Sequence, residues 1–335
     1  MFSLTKKVIF LVLLFIFVGL VSAGFFFVRW SAEEIVFADG PNIVLSKGMT
    51  FEQILRALKE QGIAIDPYLL QLLAKLKGVD RNLKAGTYEF PFKFSPSELL
   101  DILSEGKAKL YEFRIHEGWT YRQLKEGLGA HPHINFTLAD KAEREVIKVL
   151  GLNLYSLEGA FFPDTYFFEA ETKDLVLLAR AHETMESKLS RIWKGYDPQG
   201  YRVNSLMELL VLASLIEKET GLDRDRPLIS QVFHRRLMKK IRLQTDPSVI
   251  FALGEEFDGD LRRKDLRLES PFNTYRNKGL PPGPISYPSE ASLAAAANPS
   301  LTEYLYFVAR GDGSSEFSKT LRQHNQAVRK YQLRQ

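Results

Sequence analysis

Hydrophobic and polar positions follow three different patterns along the chain. Residues 8–28 are an apolar run without a charge, preceded by Lys6 and Lys7 and closed by Arg29 and Trp30. A helix rises about 1.5 Å per residue, so this run spans a hydrocarbon core of roughly 30 Å. The positive-inside rule, which counts Lys and Arg, favours a cytoplasmic N-terminus. A cleaved signal peptide is the competing reading, because Val21, Ser22 and Ala23 resemble a small-residue cleavage site. The apolar run continues past that point through Gly24, Phe25, Phe26, Phe27 and Val28, which favours an uncleaved anchor. Either way the remaining residues are expected outside the cytoplasm. No second run of this length follows.

Residues 40–170 show a second pattern, a repeat. Gly48, Thr50, Phe51, Gln53 and Ile54 correspond to Gly118, Thr120, Tyr121, Gln123 and Leu124, as Gly-x-Thr-aromatic-x-Gln-aliphatic. In each copy an extended segment ends at Gly, Thr caps a helix, and Gln three residues later completes a capping box. The first copy closes with a strand over 84–90. The second closes over 158–162 and continues through 163–168. Each copy therefore reads as strand–helix–helix–strand.

Beyond residue 170 the pattern is mainly helical. Leu175, Leu178, Ala179, His182, Met185 and Leu189 form one stripe of a helix over 174–191. Gly and Pro within 195–200 end it, which places a boundary near residue 200. Ser205 and Glu208 form a capping box for a helix ending at Gly221 in the C′ position. Leu206, residues 209–213, Leu215 and Ile216 make that helix apolar on nearly every side, so it is expected to be buried. Glu217 follows directly. Ser214, Ala213 and Gly221 share its face and are small, so an open approach and apolar walls are expected there. Such a carboxyl suits a general acid. The alternative is a structural glutamate paired with Arg224 or Arg226. Glu219 is roughly 200° further round the helix and cannot share that face. A typical glycosidase needs two carboxylates. The local sequence thus indicates a one-carboxyl mechanism, or a second acid from a distant segment.

Residues 242–248 read as a strand entering a helix near Pro247, with Asp246 as N-cap. Gln244 and Thr245 carry neutral hydrogen-bonding groups. Residues 279–285 hold five Gly and Pro residues in seven positions, a stiff loop that can present Asn273, Thr274 and Tyr275. An Ala-rich helix over 289–298, a strand over 304–310, a turn over 311–313, a strand near 316–318 and a helix from Leu321 complete the chain.

Composition narrows the chemistry. There are 45 Lys and Arg against 41 Asp and Glu, an excess too small and dispersed for nucleic-acid binding. The absence of Cys removes disulfides, Fe–S clusters, Cys-based zinc sites and thiol nucleophiles. The six His are scattered without metal-ligand spacing, so no metal is expected. Phosphate-binding, dinucleotide and serine-hydrolase motifs are missing.

Residues 40–92 are similar to a LysM module in element order and size, which implies glycan binding or a structural role. Across nearly the whole chain the sequence resembles the YceG-like (MltG) family of endolytic murein transglycosylases. The matching stretches are residues 157–159 and 162–166, 212–220, 242–247, 273–275, 279–285 and 304–308. Ala160 stands where an aromatic residue is common, an expected difference at one edge of the cleft.

The resemblance implies an α+β protein with four parts. These are a cytoplasmic tip and transmembrane anchor (1–29), a LysM-like module (30–110), a second strand–helix–helix–strand module with a linking helix (111–200), and a mixed α+β catalytic domain (201–335). It places the catalytic glutamate, the first of Glu-x-Glu-Thr, on Glu217. The implied reaction cuts the β-1,4 bond between N-acetylmuramic acid and N-acetylglucosamine and leaves a 1,6-anhydro end. One carboxyl acts as acid and then as base. Gln244, Thr245, Asn273 and Tyr275 are candidates for positioning sugars, and no cofactor is required. Glycan strands and the inner membrane are the expected partners, with peptidoglycan synthases as candidates. The catalytic domain is expected to be periplasmic or otherwise extracytoplasmic. A hydrolytic muramidase and a membrane-tethered glycan-binding scaffold are the alternatives.

Overall fold

A computed structural model describes residues 4–36, 41–46, 48–106, 109–198 and 201–333. The chain forms two compact units, residues 1–111 and 112–335.

The first unit begins with α1 (Leu4–Ala32), whose most apolar 18-residue window has a mean hydropathy of 2.9. It is long and apolar enough to cross a membrane. Its C-terminal end differs in character, because Phe27 and Trp30 pack against the core of the unit. Two residues on, β1 (Ile35–Val36) pairs antiparallel with β4 (Lys93–Phe94). Between them, β2 (Asn42–Leu45), α2 (Phe51–Glu60), α3 (Pro67–Lys77) and β3 (Gly86–Glu89) give strand–helix–helix–strand, with β2 antiparallel to β3. Thr50 and Gln53 form the expected capping box at α2. Asp66 caps α3, and left-handed Gly78 ends it. The closing helix α4 (Pro96–Glu105) carries its own box, Ser95 with Glu98. Ile43, Leu45, Tyr88, Phe94, Leu99 and Leu103 fill the core.

The second unit opens with the same order. The strand β5 (Leu110–Arg114) leads through a tight turn to α5 (Tyr121–Ala130), again boxed by Thr120 and Gln123. Next come β6 (Ile134–Asn135), α6 (Glu143–Val149), β7 (Thr165–Glu169) and β8 (Thr172–Lys173). β5 pairs with β7, and β6 pairs parallel with β8. The closing strand lies later than expected. Residues 158–162 form turns, and the pairing is made by β7.

Then follow α7 (Asp174–Lys194), α8 (Leu206–Glu219), α9 (Arg226–Met238), α10 (Asp246–Leu253), α11 (Glu290–Ala297), the antiparallel pair β9 (Tyr306–Ala309) and β10 (Ser315–Ser318), and α12 (Leu321–Tyr331). The boundary expected near residue 200 falls at 199–200, outside the described residues. Every residue from Leu209 to Ile216 is buried, as an all-round apolar helix requires. α7, α9, α10 and α11 pack around α8.

Three local expectations are corrected. Only half of the box at α8 forms: Ser205 accepts the Glu208 N–H, but the Glu208 carboxylate takes the Asn204 N–H. Residues 242–245 form no strand, and Gln244 is left-handed with φ of 54°. Asp246 is not the N-cap of α10. Thr245 holds that position without a side-chain bond, and the Asp246 carboxylate accepts the Tyr275 hydroxyl at 2.5 Å.

Candidate active site

The C-terminal end of α8 presents two carboxyls to two different environments. Glu217 faces the segment that leads into α11. Its Oε2 accepts both the backbone N–H of Ser289 at 2.9 Å and the Ser289 hydroxyl at 2.5 Å. Its Oε1 lies 3.7 Å from the Arg226 guanidinium, and both side chains are only 6% exposed. Arg226 also holds Asp223 and donates to Ser292 Oγ at 3.0 Å. Ser289 serves twice, because its hydroxyl also caps α11 through the Ser292 N–H.

The expectation of apolar walls and an open face around Glu217 is therefore corrected. At Ser214 the small face admits another part of the chain, while the space beside Gly221 is open. Ser214 Oγ accepts the Ile285 N–H at 3.1 Å, and the Ser214 carbonyl accepts the Ser286 hydroxyl. The resulting wall is polar and charged. The ion pair that the sequence offered as an alternative to catalysis is present with Arg226.

The remaining border of Glu217 comes from a segment a hundred residues away. Lys218 Nζ donates to the Gly118 carbonyl at 3.1 Å. Gly118 is left-handed at φ 73°, where a side chain would be strained and would sit against Lys218 and Glu217. Its neighbour Glu117 is exposed, yet its carboxyl is raised from the ordinary range. Partial desolvation is the main cause, and the charge of Glu217 is the next.

Glu219, on the other side of the helix, lies with Thr245, Asp246 and Arg236. Burial pushes its carboxyl up to about 7, and the Asp246 charge adds to this, while Thr245 and Arg236 oppose it. Gln244, Thr245 and Tyr275 thus gather on the Glu219 side. Gln244 is exposed, and Tyr275 is half-buried on Asp246. Thr245 is buried. Asn273 is buried with its amide fully used: it donates to the carbonyls of Leu266 and Leu268 and accepts the Tyr275 N–H. Asn273 shapes the loop that carries Tyr275 and offers no free group to a ligand.

Glu158 is a further carboxyl that the motif reading quoted without a role. Its Oε1 accepts the Tyr121 N–H at 2.8 Å, and burial pushes the group up to about 7. It borders two clefts. One, of about 500 Å³, includes Thr120, Arg122, Lys218 and Phe251. The other, of about 460 Å³, is largely apolar and includes Ala160, Met185, Leu206 and Pro284. Gly159 is left-handed there, and any side chain would collide with Pro284. Among the described residues there is no cluster of His, Asp and Glu able to hold a metal ion.

A sequence model of the YceG-like family matches residues 43–330. The chain belongs to the YceG-like family. The resemblance drawn from its motifs therefore holds. This YceG-like chain is 33% identical over 313 residues to a Bacillus subtilis protein named endolytic murein transglycosylase. That match covers 87% of the chain and 84% of the relative. A Streptococcus pneumoniae protein of the same name is 28% identical over 339 residues, covering 90% of the chain but only 61% of the relative. A crystal structure of a YceG-like protein from Listeria monocytogenes superposes with a TM-score of 0.56 at 29% identity. It covers 88% of this chain and 98% of that one.

Proposed function

We propose that this YceG-like protein is an endolytic lytic transglycosylase of peptidoglycan. It cuts the β-1,4 bond between N-acetylmuramic acid and N-acetylglucosamine within glycan strands and leaves a 1,6-anhydro-muramic end, so limiting strand length. The observation that carries this reading is the Glu217 carboxyl, fixed by Ser289 and faced by Arg226, in a chain whose relatives are named for this activity. Glu217 protonates the leaving oxygen as the C1–O bond breaks. The carboxylate then takes the proton of the muramyl C6 hydroxyl, whose oxygen bonds to C1. No water is consumed, and the carboxyl ends in its starting state. Two Ser289 donors and the Arg226 charge hold the group while it is anionic, which fixes its aim between the two proton transfers.

Gln244 and Tyr275 are the residues of this reading that position sugars. Thr245 and Asn273 support them from inside the loop. The 30–110 module serves as a glycan-binding or spacing element. α1 anchors the protein in the cytoplasmic membrane with its N-terminus inside and the catalytic part outside. Tethering there raises the effective concentration near nascent strands and near the synthases that make them.

Mass spectrometry of isolated sacculi incubated with the purified protein tests the reading. Anhydro-muramic ends in internal fragments are expected. New reducing ends instead would make the protein a hydrolase, and glycan binding without shortening would make it a scaffold.

A further inference from the structure

The two clefts that Glu158 borders reach different ends of α8. The apolar one meets its N-terminal half, at Leu206, Met207 and Leu210. The cleft of about 500 Å³ meets its C-terminal end, at Lys218. That volume lies within the range of small-ligand sites, roughly 300–1,000 Å³. Lys218 is one residue from Glu217, or about 100° round the helix. Both side chains also border one backbone point: a methyl group built on Gly118 would lie 3.6 Å from Lys218 and 3.9 Å from Cγ of Glu217. The cleft therefore begins one side chain away from the catalytic carboxyl. Its lining combines apolar groups, the half-buried Ile250, Phe251 and Phe257, with two cations, Lys218 and Arg122. Arg122 meets Glu255 at 3.4 Å with both side chains more than half exposed, so another anion can replace that partner. Among the described residues Lys218 has no ion-pair partner, and its ammonium donates to the Gly118 carbonyl. Glu158 is the carboxyl of the lining, and burial keeps its proton on up to about 7, so at neutral pH it carries only part of its charge.

We propose that this cleft receives the acidic stem peptide carried by the muramyl residue at the cut. The proposal rests on the peptidoglycan reading of Glu217 and names the part of the substrate that the cleft holds. Proton transfer to the oxygen on muramyl C1 puts that ring against Glu217. Its peptide leaves from C3 of the same ring through a lactyl ether, so it must run into space next to the carboxyl. The lactyl and alanyl methyls meet Ile250, Phe251 and Phe257, and the peptide carboxylates meet Lys218 and Arg122. N-acetylglucosamine carries no such arm. The cleft thus tells the two sugars of the strand apart and sets which bond faces Glu217.

Binding and turnover of two substrates by the full chain in detergent test it. One substrate is uncrosslinked glycan strands with their stem peptides. The other is the same strands stripped by an amidase that cuts the lactyl amide bond. Binding is measured with Glu217→Gln, so that no strand is cut. This protein should hold the peptide-bearing strands roughly tenfold more tightly than the stripped ones, the worth of two exposed charge pairs. Adding Arg122→Gln or Lys218→Gln should each shrink that preference about threefold, and Arg122→Lys should keep most of it. In the active protein the preference should fall on KM rather than kcat. Equal binding of the two kinds of strand overturns the proposal. So does a preference that survives both Arg122→Gln and Lys218→Gln in proteins that melt like the parent. A preference for peptide-bearing strands, lost in these variants, in a wild type that yields no anhydro ends supports the cleft assignment and overturns the transglycosylase reading.

Discussion

Glu217 and Glu219 are two residues apart on one helix, yet their surroundings give them opposite characters. Glu217 is met by an N–H, a hydroxyl and a guanidinium, all brought by segments remote in sequence. Glu219 is enclosed with Asp246 nearby, and its proton is retained to about 7. The helix sets only the angle between them. What each carboxyl can do is set by the segment that packs against its face. On the Glu217 side this is the stiff Gly–Pro loop running into α11, and on the Glu219 side it is the left-handed turn at Gln244.

The largest effect expected from this contrast, apart from catalysis, concerns stability against pH. Glu219 holds its proton to about 7 when folded, against the ordinary 4.5 of a solvated glutamate. Its contribution is therefore fully present below about pH 4.5 and is lost as pH rises through 7. The difference is on the order of 3 kcal/mol. Glu158 acts in the same direction. Urea melts of wild type and Glu219→Gln between pH 4.5 and 8 should diverge as pH rises, with the Gln variant losing less. Parallel curves would mean that Glu219 is not enclosed as described.

A smaller effect concerns the turn that serves the Glu217 side. Thr120→Ala and Thr50→Ala each remove one capping bond and should cost about 1 kcal/mol. The two copies have the same local chemistry, and the turn before Thr120 borders Glu217. Neither change should abolish turnover at a temperature where the variant is folded, as thermal melts and strand-shortening assays will show. Loss of turnover from Thr120→Ala in a folded protein would mean that the cap is part of the chemistry.

Much of this was legible in the chain because it is local. The capping boxes at Thr50 and Thr120, the apolar α1 and the buried α8 depend on residues near each other in sequence. The environment of Glu217 was not legible, because Ser214, Ala213 and Gly221 announce that something approaches but not what. At Ser214 that face admitted residues 285–286 in place of a ligand. Asp246 carried the composition of a cap, and Tyr275, 29 positions away, claimed its carboxylate.

The central claim is that the chemistry belongs to Glu217 and not to Glu219. Rates of strand shortening by Glu217→Gln and Glu219→Gln, measured side by side on purified glycan strands with melting curves as a fold control, test it most directly. Gln keeps the shape but cannot carry the proton, so Glu217→Gln should lose on the order of 10²–10⁴-fold while still melting as a folded protein. Glu219→Gln should stay within a few-fold of wild type. A dead Glu219→Gln beside an active Glu217→Gln would contradict the account.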